Sequence, residues 1–199
     1  MTDADQLDRP LPIGGDGKLS GGWWGVLALI VTEGSLFGYL LFAYFYLASQ
    51  TEQDWPPEGL PNLLVPAINT VILLASSVCV WASEHCIRQR QMRWSIAAMV
   101  LAIALGVCFV VIQLTEWGMK TYGMTSNLYG SLYFTITGFH LCHVVIGLLV
   151  LLFLLVWISL GYFDDRRYAA VTIGGVYWHF VDAVWLFVFT ALYLFPYLY

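Results

Sequence analysis

The sequence predicts an all-α membrane protein, a bundle of five transmembrane helices with its N-terminus inside and its C-terminus outside. Three observations carry that prediction. Of 199 residues, 60% are hydrophobic and only 11% are charged, whereas a soluble domain carries roughly 25% charged residues. Five apolar runs recur, each long enough to cross hydrocarbon, which takes about 20 helical residues. No run alternates polar and apolar residues as a barrel strand does. The formal net charge is −5 with no basic block, so nucleic acid is not an expected partner.

Residues 1–22, "MTDADQLDRPLPIGGDGKLSGG", are acidic and rich in Gly and Pro. They read as a disordered cytoplasmic tail, the reverse of a basic and then apolar signal peptide. Residues 23–199 read as a single domain. The first span is Trp23–Ala48, where Gly34 and Gly38 form a GxxxG, a spacing that lets helix backbones approach in lipid. It ends before Trp55-Pro56-Pro57, since proline lacks a donor and clashes with the preceding turn. The second span is Leu64–Cys86. The third, Ser95–Trp117, carries a small-residue stripe of Ala98, Ala102 and Gly106. The fourth, Tyr129–Leu160, is long enough to tilt or overhang, and the fifth covers 171–195. Cys79, Cys86, Cys108 and Cys142 fall in or beside these runs with no CxxC, so they read as small packing residues.

Charge orients the bundle. With the N-terminus inside, the inner segments hold Arg9, Lys18, Arg88, Arg90, Arg93, Arg166 and Arg167, and the outer segments hold Lys120 alone. Seven against one follows the positive-inside rule.

A few polar residues break the apolar runs. Glu33 stands about 15 Å along the helix from Trp23, near the midplane, where a charge must be paired, protonated or beside water. Two readings stay open for it, a proton-carrying carboxylate or a hydrogen bond that only fixes packing. His140 and His143 share a face of the fourth span, and His179 and Asp182 share a face of the fifth. A metal or haem on these histidines would need a fuller ligand set. No nucleophile or phosphate-binding motif accompanies them, so hydrogen-bonded structural histidines are expected, with no metal and no catalytic residue. His179 and Asp182 can interact directly within their helix, or each can reach across to the fourth span. Glu84-His85 reads as too distant from the other pair to join it, and Glu116 as a solvated residue at the interface.

"LIVTEGSLFGYLLFAYFY", "WPPEGLP", "INTVILLASS", "YGSLYFTITGFHLCHVVIG" and "YWHFVDAVWLF" together resemble subunit III of haem–copper cytochrome oxidases. The motifs stand in the family's order and cover almost the whole chain from Trp23. The resemblance implies a non-catalytic core subunit of a bacterial oxidase that couples oxygen reduction to proton translocation, in the plasma (inner) membrane. It places the haems and copper in partner subunits and none in this chain, with catalytic subunit I, subunit II and membrane lipids as partners. It implies bound phospholipid, at residues the sequence does not assign, and support of assembly and sustained proton uptake. Glu33 matches the family's buried helix carboxylate, a position of proton or regulatory relevance. His140, His143, His179 and Asp182 match positions that the family carries without a metal, which implies a structural polar seam in which His179 and Asp182 clasp His140 and His143. The longest members have two further N-terminal spans, so the short five-helix form is expected. Subunit III of a quinol oxidase, and the related subunit associated with nitric oxide reductase, share these motifs and stay open. A self-sufficient membrane haem protein or transporter is the alternative of a different class.

Overall fold

The computed structural model describes residues 21–51, 55–57, 59–163 and 168–198. Five helices make up the bundle: α1 Gly21–Gln50, α2 Leu64–Arg88, α3 Met92–Met119, α4 Leu128–Ser159 and α5 Ala169–Phe189. Each is long and apolar enough to cross a membrane, and no strand occurs among the described residues. The expected spans agree with these helices to within about a turn. The fifth continues beyond α5 through a π turn at Thr190–Leu194 and a 3-10 turn at Phe195–Tyr197. Gly21 and Gly22, expected in the tail, already belong to α1. Residues 1–20 and the basic pair Arg166 and Arg167 lie outside the described residues.

Local chemistry sets the helix ends. Asn127 caps α4, its side-chain oxygen accepting from the Gly130 amide at 2.6 Å, which satisfies a donor that the first turn leaves free. At the other end Gly161 adopts φ 77°. The Gly161 amide donates to the Ile158 carbonyl and the Tyr162 amide to the Trp157 carbonyl, both at 3.1 Å. That is the Schellman arrangement, in which the left-handed residue is glycine because it has no side chain to clash. Between α2 and α3 the chain reverses within Gln89–Gln91, with Arg90 at φ 60°.

The antiparallel pair α2–α3 forms the most extensive contact, and α5 packs against α1, α2 and α4. One face of α3 is buried: Ser95, Met99, Ala102, Gly106, Phe109, Gln113 and Glu116, three to four residues apart. The predicted stripe is therefore present at Ala102 and Gly106, while Ala98 is only half-buried. Fully buried Trp178 is the centre of the packing. A Cβ at Gly106 would come within 2.9 Å of its ring, and one at Gly147 within 2.8 Å. A rigid indole cannot yield there, so glycine lets α3 and α4 close on α5.

The GxxxG of α1 has no such role. A Cβ at Gly34 would meet Phe180 at 3.8 Å, and one at Gly38 would meet nothing within 4 Å. Helix α1 packs mainly on α5 and α4 through larger residues such as Val26, Phe37 and Tyr44. The cysteines also depart from expectation: all four are free, but Cys108 and Cys142 lie on the outside of the bundle. Sequence position placed them inside an apolar run without fixing which face they take.

Candidate functional site

The polar side chains inside the bundle form three groups rather than one seam. The first joins α1 to α4. Glu33 lies near the middle of α1 and His143 near the middle of α4, and His143 Nε2 stands 3.1 Å from Glu33 Oε2. The other ring nitrogen, Nδ1, donates to the Phe139 carbonyl at 2.7 Å. With Nδ1 protonated, the remaining contact holds one proton between Nε2 and Oε2. It is either imidazolium with carboxylate or neutral imidazole with carboxylic acid, and both forms have zero net charge. The pair thus meets the midplane requirement of pairing or protonation. Phe37 packs edge-on against the His143 ring at 5.1 Å between centroids, and Glu33 retains 27% side-chain exposure.

The second group joins α2 to α5. His179 Nδ1 is hydrogen-bonded to the Ser77 hydroxyl. Two turns away along both helices, Thr172 donates to Glu84 Oε1 at 2.9 Å, and Glu84 also pairs with Arg88. Trp178 donates to Ser76 at 3.0 Å and Trp185 to Thr70 at 2.9 Å, which completes a ladder of α5-to-α2 bonds. Asp182 is buried beside Ser77, and neither of its carboxyl oxygens has a hydrogen-bond partner among the described residues.

These contacts correct the predicted clasp. His179 and Asp182 face α2, not His140 and His143. His140 donates through Nε2 to the Val181 carbonyl at 3.2 Å and is enclosed by the rings of Phe109 and Trp185. His143 turns to Glu33. Two residues three apart share a face, but the spacing does not say which neighbour that face meets. Glu84, read only as too distant from His140 and His143, is met by Thr172 of α5.

The third group lies at the C-terminal end of the bundle, where α1, α3 and α5 finish and α2 and α4 begin. Glu116, expected to be solvated, is only 5% exposed. Its Oε1 accepts from Tyr193 at 2.9 Å and Tyr133 at 3.3 Å, and Lys120 Nζ stands 3.0 Å away. The two tyrosine hydroxyls are 2.8 Å apart, and the Lys120 ammonium lies over both rings at 5.1 and 5.7 Å. Sequence reasoning missed this cluster because Tyr193 reaches it from the π turn, which periodicity does not reveal. The signal available was Gln113 and Glu116 recurring on the face of Phe109. Among the described residues no group of three or more His, Cys, Asp or Glu is placed to hold a metal ion.

Five spanning helices tied pairwise by interior polar contacts define a multi-pass membrane protein of the all-helical class. A family model described as "Cytochrome c oxidase subunit III" matches residues 18–197, and the chain belongs to that family. It is 35% identical over 173 residues to cytochrome c oxidase subunit 3 of Thermostichus vulcanus, an alignment covering 85% of each chain. It is 35% identical over 175 residues to the subunit 3 of Paracentrotus lividus, covering 84% of this chain and 67% of that one. With the Petromyzon marinus protein the identity is 34% over 177 residues, covering 85% and 68%.

Proposed function

We propose that this chain serves as the third core subunit of a bacterial cytochrome c oxidase, in the plasma membrane with its N-terminus on the cytoplasmic side. Oxygen reduction then takes place on haems and copper held by the catalytic partner subunits, I and II. The chain itself carries no redox centre and supports assembly, lipid packing and sustained proton uptake. The observation that carries this reading is the family match across nearly the whole chain. The polar interior is consistent with it. Both nitrogens of His143 are engaged by Phe139 and Glu33, and Nε2 of His140 is engaged by Val181.

A cleft of about 470 Å³ opens between α1, α4 and α5, lined by Gly25, Leu29, Leu154, Trp157, Gly174 and Tyr177 among others. Its apolar walls suit a phospholipid acyl chain. The Glu33–His143 pair, mid-depth and partly exposed, is the group in this chain best placed to hold a proton for the complex.

Purification through a tag on this chain tests the reading. A haem- and copper-containing partner should co-purify, and cytochrome c should reduce the complex. The chain isolated from its partners should show no haem absorbance. Stoichiometric haem in the isolated chain would overturn the assignment.

A further inference from the structure

We propose that the C-terminal end of the bundle is a one-electron oxidation site, in which Tyr193 and Glu116 trap an oxidising equivalent that enters at Trp55. The site is separate from the Glu33–His143 pair at mid-depth. Two observations carry it: a phenol seated on a buried carboxylate, and a row of oxidisable rings that leads to it from the surface. Tyr193 is 0% exposed and Tyr133 1%. Tyr193 donates to Glu116 Oε1 at 2.9 Å, and the Tyr133 hydroxyl stands 2.8 Å from that of Tyr193. A phenol gives up an electron readily only where its proton leaves in the same step, because the cation radical left behind is a strong acid. Here the proton acceptor is already hydrogen-bonded in place. The Lys120 ammonium lies 5.1 Å over the Tyr133 ring and 5.7 Å over that of Tyr193. It opposes a cation radical on either ring. The electron therefore departs only with the proton, and the product is a neutral tyrosyl radical.

The route starts at Trp55, partly exposed in the segment between α1 and α2. Its ring centroid is 5.3 Å from that of Tyr129. Tyr129 stacks on Tyr133 at 6.3 Å, and Tyr133 meets Tyr193 at 6.2 Å. Tyr122 offers a parallel step, 5.6 Å from Tyr129 and 5.8 Å from Tyr133. Each is a direct contact between rings, close enough for an electron to hop. Phe or Leu would fill the same space in a core, whereas every ring of this row can lose an electron. The oxidant that fits is a peroxyl radical at the membrane surface. It takes one electron from Trp55 and one proton from water, and it ends as a hydroperoxide. Tyr129 then refills Trp55, Tyr133 refills Tyr129, and Tyr193 refills Tyr133. The phenolic proton of Tyr193 passes to Glu116 Oε1, where the carboxylate becomes the acid.

Treating the purified complex with peroxyl radicals from a water-soluble azo initiator tests the route, with oxidised side chains located by peptide mass spectrometry. Tyr193→Phe and Glu116→Gln, made separately, should each raise oxidation of Trp55 severalfold, because the oxidising equivalent no longer has a trap. Tyr44→Phe should leave it unchanged. Tyr44 touches Trp55 at 5.5 Å between centroids, but its hydroxyl has no hydrogen-bond acceptor among the described residues. Equal Trp55 oxidation in the wild type and both trap variants would overturn the proposal. So would an equal rise in Tyr44→Phe, which marks loosened packing rather than a lost trap. If neither trap variant assembles, the wild type decides: oxidation products at buried Tyr133 or Tyr193 support the route, and products confined to exposed side chains overturn it.

Discussion

A buried carboxylate differs in consequence according to what faces it, and this chain contains both situations at similar depth. Glu33 is held by His143, so removing either partner leaves the other unmatched in a poorly solvating interior. Asp182 faces the Ser77 hydroxyl, which is already bonded to His179, so its removal strands no group that lacks another partner. His143→Leu is therefore expected to lower the yield of assembled complex well below that of Asp182→Leu, by the equivalent of about 1–3 kcal/mol. Quantifying this chain in purified membranes against the catalytic subunit checks the order, and equal yields would contradict it. Glu33→Ala should leave the haem content of the complex unchanged while reducing sustained turnover or proton translocation. Unaltered steady-state rates and pumping would confine Glu33 to packing. The sequence revealed that Glu33, His143 and His179 lie inside the membrane, because charge in an apolar run is visible without a structure. It could not reveal their partners. Glu33 and His143 are 110 positions apart, and Ser77 resembles any other small residue until α5 is laid against it.

At the level of the helices, the apolar runs made each span legible and turn chemistry marked the ends, as at Asn127 and Gly161. The glycines show where such reading stops. Gly34 and Gly38 match a packing motif yet contact little, whereas Gly106 of the α3 small-residue stripe and Gly147, which belongs to no such pattern, admit Trp178. The difference depends on which helix lies opposite. Gly147→Ala should force a Cβ against the indole and destabilise the bundle by about 1–3 kcal/mol, as overpacking does. Gly38→Ala should be neutral, since nothing lies within 4 Å of the added carbon. Thermal unfolding of the purified complex separates the two, and a destabilised Gly38→Ala would restore the motif to a contact role. The π turn at Thr190–Leu194 is a backbone feature that sequence periodicity did not signal, and it brings Tyr193 to Glu116.

For the molecule as a whole, the charge distribution predicts an orientation that helix packing alone does not specify. A periplasm-dependent reporter enzyme fused after Tyr199 should be active, and one fused after Arg90 should be inactive. The reverse pattern would invert the proposed topology. Packing also ranks the helices. Only 11% of the most apolar stretch of α1 is buried, against 50% for the last span, and among the described residues the side-chain pair Glu33–His143 ties α1 to α4. Synthesis proceeds from the N-terminus at about 5–20 residues per second, so the last residue of α1 is added about 5–20 s before His143 is made. Throughout that interval the Glu33 carboxyl has no counterpart within its own chain. The helix that enters the membrane first therefore meets both of its packing partners, α4 and α5, only after the rest of the bundle has been made.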